Sequence, residues 1–488
     1  MSDLLNIGRT GLAASKKALE TTGHNIANAN TDGYSRQKVQ QTTNVPITKS
    51  GLIHGTGVRV TGVNRVHDQF VEKRLRDSTS ENEYFQSRAD NLRQVEEIFN
   101  EIDNGGLNQV LNRFFNSFRD LANQPENETI RSVVRDNAKL VIKDFNRIRT
   151  TLDQLSRNID NSMERTVGDI NQKIKEIATL NRKIAELEAM HGETGDLRDQ
   201  RDLAIKALSK IVKIHTYEDE KGNFNVAAKG VGTLVTAANV VPLRFGTQGI
   251  DQSSNGMDGS GEIFYEGRPS TPITSGFMKG SLSATTEVRN KDIKNLRENI
   301  DQIAYDFINS VNAIHKRGYV NREIQTDESG NPVSSFDAQG PVTGINFFKI
   351  PTSIKNAALN IDMSDDVKSD LSNIATALSP NSSGDNRVAL AISKIQHERF
   401  MEGGQSTIEE NFLKTVGKVG LESGKAQLDA EQSEGILAQV TNVKERISGV
   451  SIDEEAANMV KFQHVYEAAA KVMQTADEMF KTVINIKR

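Results

Sequence analysis

The sequence predicts an elongated, multidomain α+β protein, mostly α with a β-rich insertion. Three observations carry that expectation. Apolar residues recur in heptads over several long stretches, and β-branched, turn-rich sequence is confined to Val39–Val66 and the middle of the chain. The composition is also thin in core material, with 36% hydrophobic and 5% aromatic residues and no Trp in 488. Rods of helices that bury narrow stripes suit it better than one deep globular core. A chain this long is expected to form about three domains.

From the N-terminus, Leu5, Leu12, Leu19 and Ile26 fall every seventh residue, with small Gly8, Ser15 and Thr22 filling the alternate positions. This predicts a helix from about Leu4 to Ala27 whose stripe is too thin to hold it alone. The stretch 130–188 reads as one long helix. Ala138, Val141, Phe145, Ile148, Leu152, Leu155 and Ile159 keep strict heptads, and a stutter through Met163 and Val167 leads to Ile170, Ile174 and Ile177. Unbroken, that helix is about 90 Å long. From Ile211 to Phe245 strand signals dominate, with Gly222-Asn223 as a hairpin turn, and Gly246 to Gly261 reads as a surface loop. Ile293, Leu296, Ile300, Ile303, Phe307 and Ile314 mark a further helix before turn-rich sequence.

Ser406 and Glu409 suggest a capping box opening a helix through Phe412, Val419, Ala426 and Val440; Ser451 and Glu454 suggest another. The last helix carries Met459, Phe462, Tyr466, Met473, Phe480 and Val483 on one face, widened by Val465, Val472 and Met479. A face so broad calls for more than one partner surface, supplied by the other chain end and by neighbouring copies. The expected division is a terminal coiled-coil domain (1–35 with 451–488), a long-helix rod domain (36–210 with 378–450) and an outer β-rich domain (211–377).

Composition excludes several functions. Sixty basic against 65 acidic residues give a net charge of −5, so neither nucleic acid nor membrane is an expected partner. Without Cys there is no disulfide, thiolate nucleophile or Cys-ligated zinc. The N-terminal stretch lacks the basic region, apolar run and small-residue site of a cleaved signal peptide. No catalytic, metal or cofactor site is expected. His397-Glu398-Arg399-Phe400-Met401 has Met where a metalloprotease has its second His, Gly55-Thr56-Gly57-Val58 lacks the third dinucleotide-loop glycine, and Asp362, Asp365 and Asp366 miss calcium-loop spacing.

The segment Asn25-Ile26-Ala27-Asn28-Ala29-Asn30-Thr31-Asp32-Gly33-Tyr34-Ser35-Arg36 closely resembles the N-terminal signature of bacterial flagellar axial proteins, the rod, hook and hook-associated families. Its signature turn is Asn28, Asn30, Thr31, Gly33 and Tyr34, with Gly33 free to be left-handed. Ser451 to Met459 and Tyr466 to Asp477 resemble the same families' C-terminal helix, and the long heptads in between are similar to the hook-associated protein 1 family of hook–filament junction proteins. The resemblance implies a structural, non-enzymatic subunit exported uncleaved through the flagellar type III apparatus and assembled outside the cell. Implied partners are other copies, the hook protein, the second junction protein with flagellin beyond it, and an export chaperone on Tyr466, Met473 and Phe480. The implied assembly interface is Leu5, Leu12, Leu19, Ile26, Met459, Phe462, Tyr466, Met473, Phe480 and Val483. Alternatives are a hook- or rod-type axial protein, an intracellular coiled-coil adaptor, which would not need the Asn-rich turn, and an enzyme housed in the insertion, which would need a ligand or nucleophile cluster.

Overall fold

The computed structural model describes residues 2–49, 52–99, 106–220, 222–247 and 261–486. In chain order, the first part holds α1 (Ser2–Ala27), β1 (Gln37–Thr43), β2 (Ile47–Lys49), β3 (Leu52–His54), β4 (Val58–Arg65), α2 (Gln69–Phe99), α3 (Gly106–Asn123), α4 (Glu128–Ala189) and α5 (Gly195–Ile211). Then come β5 (Ile214–Glu218), β6 (Phe224–Ala228), β7 (Gly232–Thr236), β8 (Asn239–Val240), β9 (Leu243–Thr247), β10 (Gly261–Tyr265), α6 (Gly280–Glu287), α7 (Lys294–His315), β11 (Phe336–Asp337) and β12 (Gly340–Pro341). The chain finishes with α8 (Ala357–Asn360), α9 (Asp365–Ser369), α10 (Arg387–Lys394), α11 (Ile408–Ser448) and α12 (Ile452–Ile486). Most of the expected surface loop, residues 248–260, lies outside the described residues.

The chain divides into two compact units: 1–85 with 164–283 and 430–488, and 86–163 with 284–429. The sequence had suggested different limits, since 211–377 is shared out between these two.

The heptads decide the long helix. α4 runs 62 residues, and every seam residue from Ala138 to Ile177 is buried, on both sides of the stutter. The first unit also holds an antiparallel sheet in the order β5-β6-β7-β8 and a separate β9–β10 ladder. Two asparagines of α4 tie these strands down. Asn171 donates to the Leu243 carbonyl at 2.7 Å and accepts from its N–H at 2.8 Å, and Asn181 donates to the carbonyls of Phe224 and Ala237. The expected turn at Gly222-Asn223 joins β5 to β6, with Gly222 left-handed at φ +76° and Asn223 N–H donating to the Asp219 carboxylate at 2.8 Å.

The second unit is held by a phenylalanine cluster of which periodicity announces only Phe145 and Phe307. Phe114 meets Phe115, Phe118, Phe307, Phe347 and Phe348 at ring-centroid distances of 5.1–6.0 Å, mostly edge to face. Phe145 of α4 and Phe307 of α7 touch in the same cluster, so α7 packs with the helical rod. His315, wholly buried beside Phe347, uses both ring nitrogens on backbone. It accepts from the Ala375 N–H at 3.0 Å, and its other nitrogen donates to the Ile345 carbonyl at 2.8 Å. Burial pushes its pKa down to about 4.

Two helix starts refine the sequence reading. The box expected at Ser406 and Glu409 forms one residue later: Thr407 Oγ1 accepts from the Glu410 N–H at 3.1 Å, and the Glu410 carboxylate accepts from the Thr407 N–H at 3.0 Å. Ser451 does cap α12 through the Glu454 N–H, but the Glu454 carboxylate is used elsewhere.

Candidate assembly interface at the chain termini

α1 and α12 pack on each other through small residues. A Cβ on Gly8 would lie 2.7 Å from Met473 Cγ and 3.3 Å from the Met473 nitrogen; one on Gly11 would touch the Ala469 Cβ at 3.6 Å. Gly8, Ser15, Ala18, Thr22 and Asn25 are buried along this side of α1, and Ala476 is buried on α12. The leucines that announce the helix do not fill the seam. Leu5 is exposed, and Leu12, Leu19 and Ile26 are only half-buried. Small residues bring the backbones close, which a leucine seam does not permit.

On α12 the predicted face splits in two. Met459, Phe462, Tyr466 and Met473 are half-buried, whereas Phe480 (52% exposed) and Val483 stand in solvent. Val465, Val472 and Met479, spaced at heptad intervals, are also exposed, Met479 at 48%. One flank of the apolar face is thus turned to α1 and the other is bare within this chain.

The signature turn anchors the end of the seam. Thr31 N–H donates to the Asn28 carbonyl at 2.9 Å, the Asn28 amide donates to the His24 carbonyl at 3.0 Å, and the Thr31 hydroxyl donates to Asn28 Oδ1 at 3.2 Å. Gly33 takes φ +78°, where a side chain is strained, and Asn30 is exposed. Tyr34 donates its hydroxyl to Asn25 Oδ1 at 2.8 Å. Burial, helped by the charges of Asp196, Asp199 and Glu455, raises its pKa, so the phenol keeps its proton and remains a donor. Strand β1 starts after this turn, at Gln37.

Asn25, 1% exposed, is the hub. Its amide donates to the Gln37 carbonyl at 2.9 Å and to Glu455 Oε2 at 3.0 Å, while Oδ1 accepts from the Gln37 N–H at 2.9 Å and from Tyr34. Arg36 donates to Glu455 Oε1 and Glu454 Oε2, both at 2.8 Å, and its N–H reaches the Ser448 carbonyl at 2.9 Å. Asp199 of α5 accepts from the Ser35 N–H and from Arg65, each at 2.9 Å. One buried amide therefore links α1, the start of β1 and the first turn of α12, across 430 residues of sequence. Arg36, Glu455 and Asp199 complete the cluster. Only the juxtaposition of both termini reveals them as a set.

The other motifs take structural places. His397 is exposed on a single turn, Gly57 packs against Thr10 of α1, and Asp362 pairs with Lys349 and Lys368. Among the described residues no group of three or more His, Asp or Glu is placed to hold a metal ion, and no helix is long and apolar enough to cross a membrane.

Comparison with known proteins separates the axial families. The model of the flagellar basal body rod protein matches residues 5–34 and that of the rod FlgEFG protein C-terminal region residues 446–486, so both helices of the seam carry features shared among axial proteins. Residues 92–330 match the helical domain of the flagellar hook-associated protein FlgK. Flagellar hook-associated protein 1 of Bacillus subtilis is 30% identical to this chain over 99% of it and 97% of the relative. The chain belongs to the flagellar hook-associated protein 1 family. Hook-associated protein 1 of Salmonella typhimurium is 23% identical, with both chains covered in full. The structure of the flagellar hook junction protein FlgK from Burkholderia pseudomallei shares the fold, with a TM-score of 0.63 at 13% identity over 76% of this chain and 99% of that one. The helical domain matched by the family begins within α2 and takes in α4 and α7, the helices legible as heptads.

Proposed function

We propose that this chain is a structural, non-enzymatic subunit of the junction between flagellar hook and filament. It is held there through its terminal helices. The observation that carries the reading is the divided face of α12, where the small-residue flank is occupied by α1 and the flank of Val465, Val472 and Met479 is exposed. A bare apolar stripe along a 35-residue helix is costly in water and is covered when copies assemble side by side. Hook protein below and the second junction protein above are the neighbours the family implies. An export chaperone that takes the place of α1 on Tyr466, Met473 and Phe480 before assembly covers the neighbouring flank in the cell, and passage through the flagellar type III apparatus accounts for delivery outside it.

The test is Val472→Asp. Val472 is exposed in the chain, so the purified variant should melt with the wild type, while a carboxylate buried between subunits costs several kcal/mol and should stop incorporation at the hook tip. Lys471→Asp, an exposed polar position beside it, should be tolerated. A Val472→Asp strain that swims normally would remove this flank from the interface.

A further inference from the structure

Away from the helical seam, the first unit contains a cavity of about 1120 Å3 lined by β4, the start of α2, α5 and β5. Most of its charges are already spent. Asp202 accepts from Arg65 at 2.5 Å, Glu188 from Arg198 at 2.5 Å, and Glu193 pairs with Lys17 at 2.9 Å, while Glu72 lies 3.9 Å from Lys444. Three cations and one carboxylate are left over. Lys73, Arg76, Arg201 and Glu218 of β5 make no ion pair within 4 Å among the described residues, so cations outnumber carboxylates among the unpaired groups of the lining. Arg76 donates to Thr216 Oγ1 at 3.2 Å. Arg201, 4% exposed, donates to Asn181 Oδ1 at 3.1 Å and lies 3.8 Å over the Phe224 ring, and its buried Nε finds no acceptor. Burial pulls both guanidiniums down, Arg201 to about 10, because the charge of Asp202 offsets only part of the desolvation.

The wall beside these cations is aromatic and open. Phe70 is 72% exposed and Tyr217 is also exposed. Phe70, Lys73 and Arg76 fall every third residue, along one side of the first turns of α2. An exposed phenylalanine next to cations that lack a close ion pair suits a ligand that brings an anion and an apolar group together, and the volume exceeds what a single inorganic ion fills.

We propose that this cavity receives an acidic peptide segment of a partner protein, with a carboxylate on Lys73 and Arg76 above the field of Arg201 and a neighbouring apolar side chain on Phe70 and Tyr217. This inference is independent of the junction role, since it concerns neither terminal helix.

The experiment is calorimetry of the full-length protein with an alternating aspartate–phenylalanine hexapeptide, set against the lysine–phenylalanine counterpart and inorganic phosphate. The acidic peptide should bind, the basic one should not, and Kd should rise about tenfold in Lys73→Glu, in Phe70→Ser and in about 0.3 M salt. Lys73 and Phe70 are exposed, so both variants fold, and matching melting curves verify it. Arg76→Gln should weaken binding further. Equal binding of the basic peptide, an unchanged Kd in Lys73→Glu, or no heat at millimolar peptide would each overturn the proposal. So would phosphate that binds more tightly and displaces the peptide, because the cavity would then be a site for a free oxyanion.

Discussion

Replacing Asn25 by Asp changes one NH2 group to an oxygen and alters little else in shape. It should nevertheless detach the first turn of α12 from the signature turn. Asn25 Nδ2 lies 3.0 Å from Glu455 Oε2 and 2.9 Å from the Gln37 carbonyl. The new carboxylate would lose both donations and face a second carboxylate in a buried site. Two like charges about 4 Å apart repel by about 4 kcal/mol at an effective dielectric constant near 20, and the lost hydrogen bonds add about 1 kcal/mol each. Arg36, 2.8 Å from Glu455, offsets part of this, leaving about 3–5 kcal/mol. That corresponds to roughly a hundredfold to several-thousandfold loss of protection. Hydrogen exchange of the amides from Ala456 to Val460 should show it at pH 7. Protection should return as the pH falls far enough for the pair to share a proton. Asn30→Asp adds the same charge in the same turn at an exposed position and should leave the amides unchanged. Protection in Asn25→Asp within threefold of wild type at pH 7 would refute the hub, and a loss of protection that ignores pH would refute its electrostatic cause.

His315 makes the second unit sensitive to acid. Its folded pKa of about 4 lies below the ordinary 6.5, so its share of stability is intact above pH 6.5 and drains away as the pH falls towards 4. The loss is about 3 kcal/mol, and denaturant titrations across that window should show a flatter profile for a less stable His315→Gln variant. Gly8→Val should force α1 off Met473 and free α12, seen as lost exchange protection in both helices with the second unit unaffected. Phe114→Ala removes the ring shared by five others and should cost about 3–5 kcal/mol in the melting of the second unit, leaving exchange in α12 unchanged.

Legibility in the sequence followed periodicity. The α4 stripe from Ala138 to Ile177 could be read because each residue repeats the environment of the one a heptad before, and all of them are buried. The seam between α1 and α12 was half legible. Reading by hydrophobicity selects Leu5, Leu12 and Leu19, whereas close helix approach selects Gly8, Gly11 and Ala18, whose virtue is small size. The same bias puts Met473 at the centre of the face offered to neighbouring copies, although it lies against Gly8, and Val472 and Met479 are the bare residues. The phenylalanine cluster and the Asn25 hub were not legible as groups. Phe114, Phe145, Phe307 and Phe347 sit in unrelated elements, and Asn25 reaches Glu455 only once the termini are side by side.

The junction role itself meets its most direct test in electron microscopy of cells lacking this chain, with the culture medium assayed for flagellin. The account predicts hooks of normal length without filaments and flagellin lost to the medium, both restored by the wild-type chain. Filaments of normal length on cells without the chain would contradict it.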